Sequence, residues 1–109
     1  MSKYIIADNI NTSASRIKSL IQLIDQNSVI IYSSFTEDLS GLIDSENPEA
    51  IFINLEFADH SGIRMCKNIK SSSQHAHIPT LIYSFNSTSQ PSFETILDSN
   101  ADAFFSDPI

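Results

Sequence analysis

The feature that most constrains this chain is a recurrence of short apolar runs with segments of helical period between them. Tyr4 to Ala7, Val29 to Tyr32, Ala50 to Leu55, Ile78 to Tyr83 and Ala103 to Phe105 are rich in Ile, Val, Phe or Tyr and bounded by polar residues, which is how strands read. In the first interval, NTSASRIKSLIQLIDQN, residues Ile17, Leu20, Ile21 and Ile24 follow an i, i+3, i+4, i+7 rhythm, and Thr12 or Ser13 offers a helix cap. In FTEDLSGLID, Thr36 offers a cap, acids occupy the first turn where the helix dipole favours them, and Leu39, Leu42 and Ile43 share a face that Gly41 weakens. IRMCKNIK groups Met65, Cys66 and Ile69, and PSFETILDSN aligns Phe93, Ile96 and Leu97 behind Pro91.

Strands that alternate with helices predict crossover connections and a parallel sheet covered on both faces, and near-continuous apolar strands agree with burial on both sides. The chain has 109 residues, enough for one domain, so residues 1–109 are read as a single unit. It stops directly after the fifth strand. The expectation is a domain cut from something longer, without its last helix, or one that leaves an apolar sheet face for a partner. KSSSQHAH and SFNSTSQPS, rich in Ser, Asn and Gln, are predicted to be mobile loops.

Charge and composition exclude several function classes. With 6 Lys and Arg against 13 Asp and Glu the net charge is −7, and Lys3, Arg16, Lys18, Arg64, Lys67 and Lys70 are scattered. A nucleic-acid partner is therefore not expected. No apolar stretch approaches bilayer length, so membrane insertion is not expected either. One cysteine, Cys66, and 2 glycines exclude an internal disulfide, a cysteine-rich metal cluster and a glycine-rich phosphate loop, and fit a cytoplasmic protein.

In a parallel α/β sheet, ligands bind outside the carboxyl ends of the strands, where strand order reverses. That directs attention to Asp8 and Asn9, Asn54, Ser84 and Asp107. Here the sequence resembles the receiver domain of two-component response regulators over its whole length. YIIADN is similar to the first strand with its acidic pair, IFINLEFADHSG to the third strand and its loop, IPTLIYSF to the fourth strand and NADAFFSDP to the fifth. The landmarks are the spacing from Asn54 to Ser61 and Gly62, Ile78 and Pro79 before the fourth strand, and Pro108 after the fifth. The resemblance implies a flavodoxin-like three-layer fold with a five-stranded parallel sheet in the order 2-1-3-4-5.

A working receiver, by that resemblance, carries a phosphoryl-accepting aspartate at the position of Asn54. It holds Mg²⁺ by the acidic pair and by a backbone carbonyl that corresponds to Glu56. A carboxylate can form an acyl phosphate, and the cation neutralises phosphoryl charge through oxygen ligands. Asn54 is a neutral amide and lacks that chemistry, and Leu55 after it should slow any deamidation. Asn9 replaces the second acid, which leaves Asp8 as a weak candidate ligand and Mg²⁺ binding as weak or absent. Asp107 stands where the family has a lysine and would repel a phosphoryl group. Ser84 matches the hydroxyl residue and Phe104 the aromatic of the family's switch, while Phe85 takes a small residue's place and is expected to crowd the pocket. These substitutions describe a degenerate pseudo-receiver in which Asn9 and Asn54 hydrogen-bond with Asp8 in a structural polar network.

Plainer readings cover the remaining polar residues. His60, His75 and His77 lack a completing ligand set and read as surface histidines. Glu56 and Asp59 read as a solvated acidic loop, with replacement phosphoacceptors as the alternative. Cys66 reads as an inert buried thiol, and no hydrolase triad assembles around Ser84. The function expected is a non-enzymatic signalling and protein-interaction module, which binds another signalling protein or itself through the face of the fourth helix and fifth strand, near Phe104, Phe105 and Ile109. Its rivals are a phosphoacceptor with a non-standard carboxylate and Mg²⁺, and a flavodoxin-like binder of a small molecule.

Overall fold

In a computed structural model of the chain, five strands form one parallel sheet in the order β2-β1-β3-β4-β5. The structure describes residues 2–33, 36–55, 62–85 and 97–106. The strands are β1 (Lys3–Ala7), β2 (Val29–Ser33), β3 (Ala50–Asn54), β4 (Thr80–Ser84) and β5 (Ala103–Ser106). The helices are α1 (Asn11–Ile24), α2 (Thr36–Glu46) and α3 (Gly62–Ser71), and residues 97–99 are also helical. The expected order and register type hold. The fourth strand begins at Thr80 and not at Ile78, because Pro79 has no N–H to donate and offers only its carbonyl, to Ile51 N at 2.9 Å.

Alternation along the strands divides the core in two. Ile5, Ala7, Ile51, Ile53 and Ile82 face one side with Leu39 and Ile43 of α2 and Met65, Cys66 and Ile69 of α3. Ile6 and Tyr83 face the other with Ala14, Ile17 and Ile21 of α1, and Tyr4, Phe52, Phe85 and Phe105 pack partly buried around them. Cys66 is fully buried, and burial pushes its thiol up to about 11 despite the Ser99 hydrogen bond and Lys70. The thiolate is scarce at neutral pH, as expected for an inert thiol.

The helices depart from expectation at their edges. The residue before α1 is Ile10, and no side chain caps the helix; Ala14 N donates to Ile10 O at 3.0 Å, and the Ser13 hydroxyl is committed to Asp8 instead. Ile17 and Ile21 are buried, but Leu20 and Ile24, which complete the same rhythm, are exposed: among the described residues α1 alone packs on that part of the sheet face. Leu97 is likewise exposed, while Ser99 beside it is fully buried. Phe93 and Ile96 lie outside the described residues, as does any cap from the Thr36 side chain. Asn47 and Asn100 end their helical segments at φ 49° and 62°, the left-handed conformation asparagine tolerates better than most residues.

The segment expected to be a mobile loop after α3 is a run of hydrogen-bonded turns. His75 N and Ala76 N both donate to Ser72 O, and Ile78 N donates to His75 O. His75 is buried and not a surface residue: its Nε2 lies 2.6 Å from Asp44 Oδ1, which ties the turn to α2. The second loop, around Asn86 to Pro91, lies outside the described residues.

Candidate functional site

Order reverses between β1 and β3, so their carboxyl ends flank a crevice. β1 delivers Asp8 and β3 delivers Asn54, with exposures of 4% and 2%. Two polar side chains so deeply buried need partners. Three donors converge on Asp8: Ile10 N on Oδ1 at 2.8 Å, and on Oδ2 the Ser13 hydroxyl at 2.5 Å and the Tyr83 hydroxyl at 2.6 Å. Asn54 Nδ2 donates to Ser13 Oγ at 3.1 Å, so the amide reaches the carboxylate through the serine.

The expected polar network therefore exists in a different form. Asn54 joins it indirectly. Asn9 is exposed, and the described donors on Asp8 come from residues 10, 13 and 83. Tyr83 is the member that sequence reasoning missed, because it reads there as one more apolar residue of the fourth strand. Register explains its role: β3 and β4 pair Asn54 with Tyr83, and Leu55 N donates to Tyr83 O at 2.8 Å. Burial first, then the bond to Asp8 and its charge, raise the Tyr83 pKa far above the ordinary phenol value. The hydroxyl thus stays a donor throughout the working pH range.

Gly62 accounts for the spacing that marked this loop in the sequence. A Cβ there would lie 2.5 Å from Asn54 O and 3.0 Å from Leu55 Cα and Leu55 O. The start of α3 rests directly on the end of β3, and only glycine leaves room for that approach.

Ser84 is fully buried at the end of β4, beside the crevice. Phe104 packs partly buried against the α2 and α3 side of the sheet. Phe85 turns to the α1 side: its ring is 5.5 Å from that of Tyr83, and the Arg16 guanidinium lies 3.9 Å above it. Phe85 is thus held between Tyr83 and Arg16 on the α1 side, and no described contact of its ring is with Asp8 or Asn54. Phe105 also stacks on Tyr83, with ring centroids 6.0 Å apart. Glu56, Asp59, His60, Asp107, Pro108 and Ile109 lie outside the described residues.

Mg²⁺ takes oxygen ligands in near-octahedral geometry, and the described residues do not fit it. Both Asp8 oxygens accept hydrogen bonds from within the protein, Asn54 is neutral and turned toward Ser13, and no group of three or more metal-ligating side chains occurs among the described residues.

The class this geometry defines is the flavodoxin-like α/β fold of response-regulator receiver domains. The signal receiver domain of a DNA-binding response regulator from Colwellia psychrerythraea 34H superposes with a TM-score of 0.82, at 16% identity, over 100% of this chain and 88% of that one. A two-component response regulator from Clostridium difficile gives 0.76 at 22% identity, over 100% and 85%. A CheY-like receiver domain from Methylobacillus flagellatus gives 0.75 at 16%, over 100% and 88%. No family model and no curated protein matches the sequence.

Proposed function

We propose that the chain is a phosphorylation-independent signalling module, a receiver fold that works by binding another protein. The observation that carries this reading is the state of the crevice. Its β3 position holds a buried amide, and its remaining described carboxylate is engaged by Ile10, Ser13 and Tyr83. A neutral amide offers no carboxylate to form an acyl phosphate. A carboxylate held by three donors would have to exchange them for a cation, at a cost in buried hydrogen bonds. The module is fixed in one state, and its output depends on whether the partner is present.

Incubation with acetyl phosphate and Mg²⁺ followed by intact-mass measurement tests this. The expected result is an unchanged mass. A phosphoryl adduct would overturn the reading in favour of a non-standard phosphoacceptor, and peptide mapping would then locate it, with Asp59 and Glu56 as the first residues to inspect.

A further inference from the structure

Between α2 and α3, on the sheet face opposite α1, the side chains leave a hollow of about 170 Å³. It lies toward the amino ends of β3 and β4, away from the crevice of Asp8 and Asn54. Its apolar wall is Leu39 and Ile43 of α2 with Met65 and Ile69 of α3, all buried. An apolar cavity of about 150 Å³ admits one benzene ring, and a thioether such as that of Met65 makes favourable contacts with aromatic carbon. The volume is too small for a nucleotide.

One buried polar side chain lines this space. His75 is 7% exposed and borders the hollow, and its Nε2 lies 2.6 Å from Asp44 Oδ1. A carboxylate only accepts, so Nε2 carries the hydrogen, and in the neutral imidazole Nδ1 is left with a lone pair. Nδ1 makes no hydrogen bond among the described residues. It is not sealed in either, for the buried side-chain atom without a partner there is Ser28 Oγ. The hollow is the opening beside it. An acceptor whose tautomer is fixed by a carboxylate on its far nitrogen is ready for a donor that enters from that side.

Charge narrows the ligand further. The chain carries −7, Asp44 stands behind His75, and no Lys or Arg lines the hollow. Lys70 is taken up by Asp102 and by the carbonyls of Ala76 and Ile78. A carboxylate or phosphate would find no counter-charge here. We infer that the hollow between α2 and α3 binds a neutral, single-ring aromatic molecule with one hydrogen-bond donor, of the phenol class, its ring against Met65 and Ile69 and its donor on His75 Nδ1. Such a site gives the chain an input that needs neither phosphate nor metal, and it does not depend on the function proposed above.

Titration of the isotope-labelled 109-residue chain with phenol, followed by amide NMR at mildly alkaline pH, tests the site. Saturable shifts confined to residues 39–46 and 65–76 are expected, with a Kd of about 1 mM or tighter. Toluene, a similar ring without a donor, should bind about fivefold or more weakly. Asp44 is largely exposed, so Asp44→Asn should keep the fold. Its amide can donate to Nε2 and send the imidazole hydrogen to Nδ1, so the preference for phenol over toluene should fall severalfold while toluene affinity stays. Asn68→Phe, at an exposed position on the rim, should fill the hollow and abolish both without lowering the thermal unfolding temperature. Phenol shifts that do not saturate or that centre on α1, toluene bound as tightly as phenol, a preference untouched by Asp44→Asn, or binding that survives Asn68→Phe would each overturn the inference. The acetyl phosphate result leaves these outcomes unaffected.

Discussion

The two ends of the sheet each carry an aspartate that accepts several hydrogen bonds, and they treat it in opposite ways. At the carboxyl end, buried Asp8 is held by hydroxyls and one N–H, with no Lys or Arg among its described partners. At the amino end, Asp102 accepts Thr80 N at 2.7 Å and lies 2.6 Å from Lys70 Nζ, with its side chain 48% exposed. Lys70 also donates to Ile78 O at 2.8 Å, so the ion pair ties α3 to the start of β4 and β5. The difference teaches where polarity serves shape alone. Asp102 lies in water-facing structure that a cation can share, whereas Asp8 sits where every donor must come from a neighbouring element, so its partners fix β1, α1 and β4 relative to one another.

Asn54→Asp is the largest challenge to that contrast. It places a second carboxylate beside Asp8 without a cation, and a loss of about 4 kcal/mol is expected at neutral pH in urea unfolding. The added acid would have its folded-state pKa raised, so stability should recover as pH falls and the carboxyl protonates. A variant as stable as the parent at neutral pH would show that the crevice tolerates charge as the amino end does.

Gly62→Ala comes next, at about 3 kcal/mol, because the atoms a Cβ meets are backbone and cannot swing aside. Tyr83→Phe removes one donor and leaves Asp8 short of a partner, which should cost about 2 kcal/mol by thermal unfolding. Magnesium should not restore that loss; recovery with added Mg²⁺ would mean that the tyrosine alone had kept the cation out.

The smallest effect belongs to Asp102→Asn. Partial burial works against ionisation there, but the bonds from Lys70 and Thr80 N and the Lys70 charge outweigh it and hold the carboxyl below its ordinary value. A depressed carboxyl contributes stability that is present above its unfolded pKa and lost as pH falls through the folded one. Given its exposure, the contribution is below about 1 kcal/mol. Acid titration of unfolding should therefore show a slightly shallower fall in the asparagine variant.

Much of the architecture was legible in the sequence because apolar runs and helical rhythm are properties of neighbours along the chain. Ile5, Ile51 and Ile82 declare buried strands on their own, and Asn54 with Gly62 placed the crevice. What was not legible depends on residues brought together from afar. Tyr83 counts as apolar in any periodic reading, and only the pairing of β3 with β4 shows that its hydroxyl meets Asp8, 75 positions away. His75 looks like part of a solvated loop until α2 supplies Asp44. Leu20 and Ile24 complete a helical stripe whose outer members have no described layer to bury them, a fact the rhythm of one helix cannot contain.

The contact between Gly62 and the end of β3 bears on how such chains are recognised. The interval from residue 54 to residue 62 works as a ruler for laying one backbone on another, and it measures the same distance whether the strand ends in an acid or an amide. A pattern search built on that interval detects a junction, and the chemistry must be read separately from the single side chain at its origin.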